Sequence, residues 1–320
     1  MEYEYYHIWN DTNILRNFSN PFNNRIKIFA AEEWEISPTW DTDINFDIFK
    51  NGLDVVFGTY DNKFYKNRKN IPNNATIHCW GTYWCAHTNY QIKKENTKIE
   101  KTNIDIPFIS LNNKPHQHRC QLLDNLSKEK LLKKSAVTWH YPDVSYDWKH
   151  WNPVHLFLKD DYINSRNSYK KLPSQFSRSF VNVVAEATAD APFVTEKTWI
   201  PIFLGKPFLI LGAAGIHQYL ESLGIELYTE VFDYSFDNYT KIEDRIQGIV
   251  ENLKRIKRQD LNQLTETLSR KLDHNKYMAT KISKDESLIP EIVNNHYEYI
   301  KNNREQMVGI DFTWEQFRRI

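Results

Sequence analysis

A chain of 320 residues carrying 41 Lys and Arg against 41 Asp and Glu is long enough for two domains and has no net charge, so it lacks the overall electrostatic signature of a nucleic-acid binder. Three cysteines, Cys79, Cys85 and Cys120, with no CxxC pair argue against a disulfide framework or a zinc site and for a reducing compartment. The start, MEYEYYHIWND, is too polar for a signal peptide, and the longest apolar run, around Ile200 to Ile216, is broken by Lys206 and Pro207; a soluble, cytoplasmic protein without a membrane span is expected.

The run RIKIFA reads as a first strand, followed closely by the acids Glu32, Glu33 and Glu35. Gly52 to Thr59 (GLDVVFGT) reads as a second, with Asp61 just past its end, and Ala75 to Trp80 as a third, before the aperiodic run WGTYWCAHTNY. Pro107 to Leu111 is strand-like. Leu122, Leu123, Leu126, Leu131 and Leu132 have helical spacing, and Ala136 to His140 returns to strand. Such alternation suggests an open parallel sheet. Turn formers without a period place a linker at 143–176, between an N-terminal unit of residues 1–142 and a C-terminal unit of residues 177–290.

The second unit opens with an apolar run, Phe180 to Ala185, that ends at Glu186. After a polar loop, Thr195-Glu196-Lys197 opens a helix that leads to a second apolar run, Pro207 to Gly212. This is the pattern of a parallel βαβ unit, in which ligands sit at the carboxyl ends of strands beside the helix N-terminus. Ile216, Tyr219, Leu220 and Leu223 form a helix face that Gly224 ends at the C′ position. Ile242, Ile246, Ile249, Leu253 and Ile256 alternate four and three apart, an amphipathic helix, and Leu261, Leu264, Leu268 and Leu272 continue in that style. The 10 Trp, 18 Tyr and 18 Phe are read first as core, since aromatics dominate burial.

Lys197 is misplaced with respect to the dipole of the helix that Thr195 caps, unless an anion is also present, and a nucleotide diphosphate would supply one. Arg119 is a second diphosphate residue, because its planar fork matches phosphate oxygens in pairs. Gly212 and Gly215 follow a strand and would let backbone approach a phosphate, although glycine there is also ordinary turn chemistry. With only 9 glycines and no GxGxxG or GxxxxGK[ST], dinucleotide oxidoreductases and P-loop ATPases are disfavoured. His116 and His118 have the spacing of a metal pair if they lie on a strand, but no third ligand is near, so no metal is expected. The basic run Lys254 to Arg258 reads as the wet face of its helix.

The T-E-K segment with an acid on the preceding strand and a Pro-Phe strand after it resembles the donor-binding segment of the fucosyltransferases. It is more similar still to small glycosyltransferase-like proteins of bacteriophages and bacteria. A second block agrees: Phe108 to Asn113, a strand ending in Ser110-Leu111-Asn112, with Arg119 following. The likeness covers roughly residues 105–255. It implies an α/β protein of two Rossmann-like domains facing across a cleft, the GT-B type, with residues 291–320 crossing back to the first domain. It further implies a metal-independent, inverting glycosyltransferase without a cofactor, taking a GDP- or UDP-linked nucleotide sugar as co-substrate. Donor binding then falls to Thr195, Glu196, Lys197, Arg119, Glu186, Asn112 and Gly212, with Glu196 on the ribose hydroxyls and Glu186 on the sugar or behind Glu196. The first domain would supply the catalytic base from Glu33, Glu32 or Asp61, each near a strand end.

The acceptor is a glycan by default. Hydroxymethylated cytosine in phage DNA is the alternative, with Lys63 to Lys69 and Trp80 to Trp84 as its nucleic-acid surface. A third reading is a sugar- or nucleotide-binding protein that keeps the fold without turnover.

Overall fold

The computed structural model describes residues 3–7, 25–30, 53–61, 75–100, 102–156, 158 and 172–295. Among the described residues, eight strands form two separate four-stranded sheets, each wholly parallel, in an α/β arrangement. The first sheet runs in sequence order: β1 (Tyr3–His7), β2 (Arg25–Ala30), β3 (Leu53–Phe57) and β4 (Ala75–Cys79). The three apolar runs expected as strands are β2, β3 and β4. YEYYH was not expected as a strand; it pairs with β2 from Tyr3↔Arg25 to His7↔Phe29.

The second sheet contains β5 (Ile106–Leu111), β6 (Ala136–Thr138), β7 (Ser179–Ala185) and β8 (Phe208–Leu211), in the order β6-β5-β7-β8. Every residue of β6, β7 and β8 is buried, which explains why these strands read as continuous apolar runs. This order corrects the expected boundary. β5 and β6 precede the 143–176 segment yet pair with β7 and β8, so a domain ending at residue 142 would cut one sheet in half. The sequence break between the sheets falls instead between β4 and β5.

That interval holds helix α1 (Tyr83–Lys94), the run that had shown no period. Tyr83, Trp84 and Cys85 are all buried, and α1 packs on helices of the second sheet. After β5 comes α2 (Gln117–Lys128), which starts one turn before the leucine pattern, and before β7 the short α3 (Ser174–Arg178). Then follow α4 (Glu196–Phe203), α5 (Ile216–Ser222), α6 (Ile242–Ile256), α7 (Leu261–Thr267) and α8 (Ser269–Ile282). Gly224, at φ +89°, ends α5 as its position after Leu223 requires. Helix α6 packs on α2, β5 and β8, while α4 packs on β7, β8, α1 and α8.

The aperiodic loop after β6 is held by Asp124 of α2, whose carboxylate accepts from the N–H groups of Lys149, His150 and Trp151 at 3.2, 2.8 and 2.9 Å. Residues 291–295 are helical and Val293 is buried; the rest of the expected crossing segment lies outside the described residues. Among the described residues no helix is long and apolar enough to cross a membrane.

Candidate active site

The second sheet fixes where a ligand would sit. From β5 the chain leaves towards β6 on one side, and from β7 towards β8 on the other. Right-handed crossovers in opposite directions put the two following helices on opposite faces of the sheet. The carboxyl ends of these neighbouring strands are therefore the topological switch point, where open α/β sheets bind their ligands. The loop after β5 brings Asn112, Lys114 and His116. The loop after β7 runs from Glu186 to Thr195.

Glu186 is the hub, and it is completely buried. Its Oε1 accepts from the Thr195 N–H at 3.0 Å and from Thr198 Oγ1 at 2.6 Å. Its Oε2 accepts from Thr195 Oγ1 at 2.6 Å and from the Ala187 N–H at 3.3 Å. Both oxygens are thus occupied by the protein's own donors, and the expected contact to a sugar is corrected: Glu186 is a strut that sets the loop and the start of α4. Thr195 is the N-cap, as anticipated, with Oγ1 accepting from the Lys197 N–H at 3.3 Å.

Lys197 Nζ meets Glu196 Oε1 at 3.0 Å, with the two side chains 27% and 20% exposed. Burial alone would raise the Glu196 carboxyl, but the Lys197 ammonium outweighs it and holds the acid below its usual range, with a smaller contribution from His87. His87 lies on α1, so a helix outside the second sheet borders this site. Its imidazole is pushed down to about 4 by burial, against the pull of Glu196.

Arg119 is 2% exposed. Its NH1 donates to the Lys114 carbonyl at 3.2 Å and its NH2 to the Glu186 carbonyl at 2.9 Å. The fork expected for phosphate therefore staples the loop after β5 to the end of β7. Next to it, His118 Nε2–H donates to the same Glu186 carbonyl at 2.9 Å, and the His116 and His118 rings stack with centroids 5.7 Å apart. Burial and then Arg119 push His118 down to about 3; burial, Arg119, Lys114 and Lys197 push His116 down to about 4. Both histidines sit at the start of α2 and not on a strand, which removes the geometric condition for a chelating pair. Among the described residues no group of three or more His, Cys, Asp or Glu is placed to hold a metal.

Asn112 is buried at the end of β5. Its amide donates to the Ser110 carbonyl and Oγ at 3.2 and 3.1 Å, its N–H donates to Thr138 Oγ1 at 2.8 Å, and its Oδ1 is buried without a hydrogen bond. It knits β5 to β6. Gly212 does not open a path to a phosphate, because a Cβ there would lie 2.7 Å from Ile216 Cδ1. The space its hydrogen leaves is filled by that side chain. Gly215, at φ +83°, is the glycine whose conformation is needed; it opens α5 and donates its N–H to the Asp237 carbonyl at 2.9 Å.

Of the three base residues, Glu32 and Glu33 lie outside the described residues. Asp61 follows a strand end docked directly on the loop after β7. Thr59 bridges Phe193, Thr59 Oγ1 donates to the Pro192 carbonyl at 2.6 Å, and the Tyr60 N–H reaches the same carbonyl at 3.2 Å. Tyr60 stacks on Tyr219 with centroids 4.0 Å apart. The expected nucleic-acid surface fails where it is described, since Trp80, Tyr83 and Trp84 are core residues with no face left for a base. Residues 63–69 lie outside the described residues.

Sequence reasoning missed two supports. Arg245 of α6, 4% exposed, donates to the Tyr239, Thr240 and Ala189 carbonyls at 2.9, 3.1 and 3.0 Å and so clamps the loop after β7. Its signal was present: it falls three residues after Ile242 and four before Ile249, on the apolar face. His217 Nδ1 meets Asp237 Oδ1 at 2.8 Å while its Nε2 accepts from the Ile210 N–H at 3.2 Å, tying β8 to α5. Comparison with protein-family models, with curated proteins and with solved structures gives no match.

Proposed function

We propose that this chain is a glycosyltransferase that moves a sugar from a nucleotide-diphosphate donor to an acceptor hydroxyl, in a GT-B arrangement of two Rossmann-like units. One observation carries the reading. At the switch point, the first turns of α2 and α4, which bear Arg119 and Lys197, are bound to a single residue, Glu186, whose own carboxylate is spent internally. Two helix N-termini and two cations anchored around one residue would suit a doubly charged anion, which supports this reading.

In this reading the acceptor hydroxyl gives its proton to a carboxylate of the first unit, Asp61 among the described residues. The freed oxygen attacks the anomeric carbon, and the carbon–oxygen bond to the diphosphate breaks with its electron pair going to the phosphate oxygen. Lys197 and the charge of Arg119 stabilise that oxygen as it becomes more negative. Glu196, kept ionised by Lys197, accepts from the ribose hydroxyls.

The test is thermal denaturation with GDP, UDP and CDP, followed by donor hydrolysis. A nucleotide at a hundred times its Kd adds about 2.7 kcal/mol to the native state, on the order of 5–10 °C for a domain of this size. The matching nucleotide is expected to give that shift, and Lys197→Ala to abolish it. A flat response to all three at millimolar concentration refutes the reading. Binding without turnover identifies a non-catalytic nucleotide-binding protein instead.

A further inference from the structure

We propose that the groove between helix α6 and the segment just before it binds a neutral saccharide chain, at a site separate from the switch point. The groove has a volume of about 350 Å³, within the size range of small-molecule sites. One wall is a stripe of α6 that carries Asp244, Gln247, Gly248, Glu251 and Arg255. The other is the segment from Asp233 to Tyr239, with the buried Phe236 at its base. Gly248 permits the close approach, since a Cβ there would lie 2.2 Å from Phe236 Cβ. Asn252 locks the walls together. Its Oδ1 accepts from the Asp233 N–H at 2.8 Å, and its Nδ2 donates to the Asp233 and Gly248 carbonyls at 2.7 and 3.1 Å. The groove is built before a ligand arrives, which lowers the cost of binding.

Its chemistry selects the ligand. Tyr239, 47% exposed, is a phenol ring that the fold leaves uncovered beside the groove. Such a ring, apolar in body and polar at its tip, meets the C–H face of a pyranose. Around it stand planar polar groups, which pair with neighbouring hydroxyls two at a time. Glu251 Oε1 accepts from Gln247 Nε2 at 2.6 Å and from Lys254 Nζ at 3.1 Å, which leaves Oε2 to a ligand. Asp233 and Arg255 are 3.8 Å apart and at least half exposed, a pair too loose to keep either from a ligand. Three carboxylates, Asp233, Asp244 and Glu251, line the groove with one guanidinium, which weighs against phosphate and other anions. A saccharide hydroxyl donates to the carboxylates and accepts from Gln247 and Arg255, whereas a cation would use the carboxylates alone. Arg245 links the groove to the loop after β7, because it donates to the Tyr239, Thr240 and Ala189 carbonyls together. On the glycosyltransferase reading, the saccharide held here is the part of the acceptor remote from the reacting hydroxyl; the binding itself does not depend on that reading.

The experiment is saturation-transfer NMR on the full chain. The probes are neutral oligosaccharides built from glucose, galactose, mannose and N-acetylglucosamine, with spermidine as the cationic control. At least one saccharide is expected to receive magnetisation at its ring C–H protons. Tyr239→Ala should weaken its affinity at least about tenfold and Gln247→Ala several-fold, while Tyr239→Phe stays close to wild type. Both side chains are exposed, so the fold is kept, and nucleoside diphosphates should bind all these variants as they bind wild type. No transfer to any saccharide, or transfer that survives Tyr239→Ala, overturns the inference. Binding of spermidine alone, lost in Asp244→Asn, also overturns it and assigns the groove to an organic cation. Saccharide transfer to wild type without binding of any nucleoside diphosphate strikes the glycosyltransferase reading and leaves this one standing.

Discussion

The clearest energetic consequence of the site concerns Thr198. Its hydroxyl donates to the buried Glu186 Oε1 at 2.6 Å, a length typical of a charge-assisted O–H···O⁻ bond. Thr198→Val keeps the shape and nearly the same helix propensity, so it isolates that bond. A hydrogen bond to a charged partner is worth about 1.5–3 kcal/mol, and the carboxylate left behind retains the donors Thr195 N–H, Thr195 Oγ1 and Ala187 N–H. The expected loss is therefore about 2 kcal/mol, or a urea midpoint lower by roughly 1 M for a dependence near 2 kcal/mol/M. Glu186→Gln should cost more than Thr198→Val. Whichever oxygen becomes an NH₂ group then faces a backbone N–H that needs an acceptor, and the remaining bonds lose their charge assistance. Because the two residues share one bond, the double variant should be less destabilised than the sum of the singles. Urea denaturation of the three variants beside wild type decides it. A Thr198→Val midpoint indistinguishable from wild type, or additive losses, refutes the description of Glu186 as a strut.

Two further outcomes follow from the same structure. His87, His116 and His118 have folded-state values near 4, 4 and 3 against 6.5 for the free group, so between about pH 6.5 and 4 the unfolded chain binds protons that the folded chain does not. Stability is then complete above pH 6.5 and falls on acidification, by up to about 1.4 kcal/mol per pH unit for each imidazole; His118→Asn should make the pH 7-to-5 decline in urea midpoint visibly shallower, and an unaltered slope speaks against these imidazoles. Gly248→Ala should lower the melting temperature despite the better helix former, because its Cβ would fall 2.2 Å from Phe236 Cβ and force α6 off the turn that carries Asp237; overpacking of this kind costs about 1–3 kcal/mol, and an unchanged or higher melting temperature contradicts it.

The parts of the fold legible in the sequence are those where one local rule acts alone. Phe180 to Ala185 and Pro207 to Gly212 are apolar because parallel strands are covered on both faces, and Thr195 and Gly224 mark helix ends by backbone chemistry that needs no tertiary context. What stayed hidden was long-range. No local pattern states that β5 pairs β7 across the 143–176 segment, and the linker was accordingly put in the wrong interval. The run WGTYWCAHTNY hid a helix because α1 buries aromatics on more than one side and so lacks a single apolar stripe. The site followed the same division. Lys197 and Glu196 could be named from their place in the first turn. The consumption of Glu186 by Thr195 and Thr198, and of Arg119 by two carbonyls, depends on which donors the folded loop delivers.

Helix α1 belongs to the first half by order in the chain and to the second half by its packing. Its Cys85 Sγ reaches the Ala279 carbonyl at 3.5 Å and its Asn89 Nδ2 reaches Ser283 Oγ at 2.7 Å, both at or just beyond α8. A fragment begun in the interval before β5, at the natural-looking cut between the sheets, would leave a bare apolar strip along α4 and α8 and would remove His87 from beside Glu196. Splitting the polypeptide into functional halves therefore requires keeping α1 with the C-terminal piece.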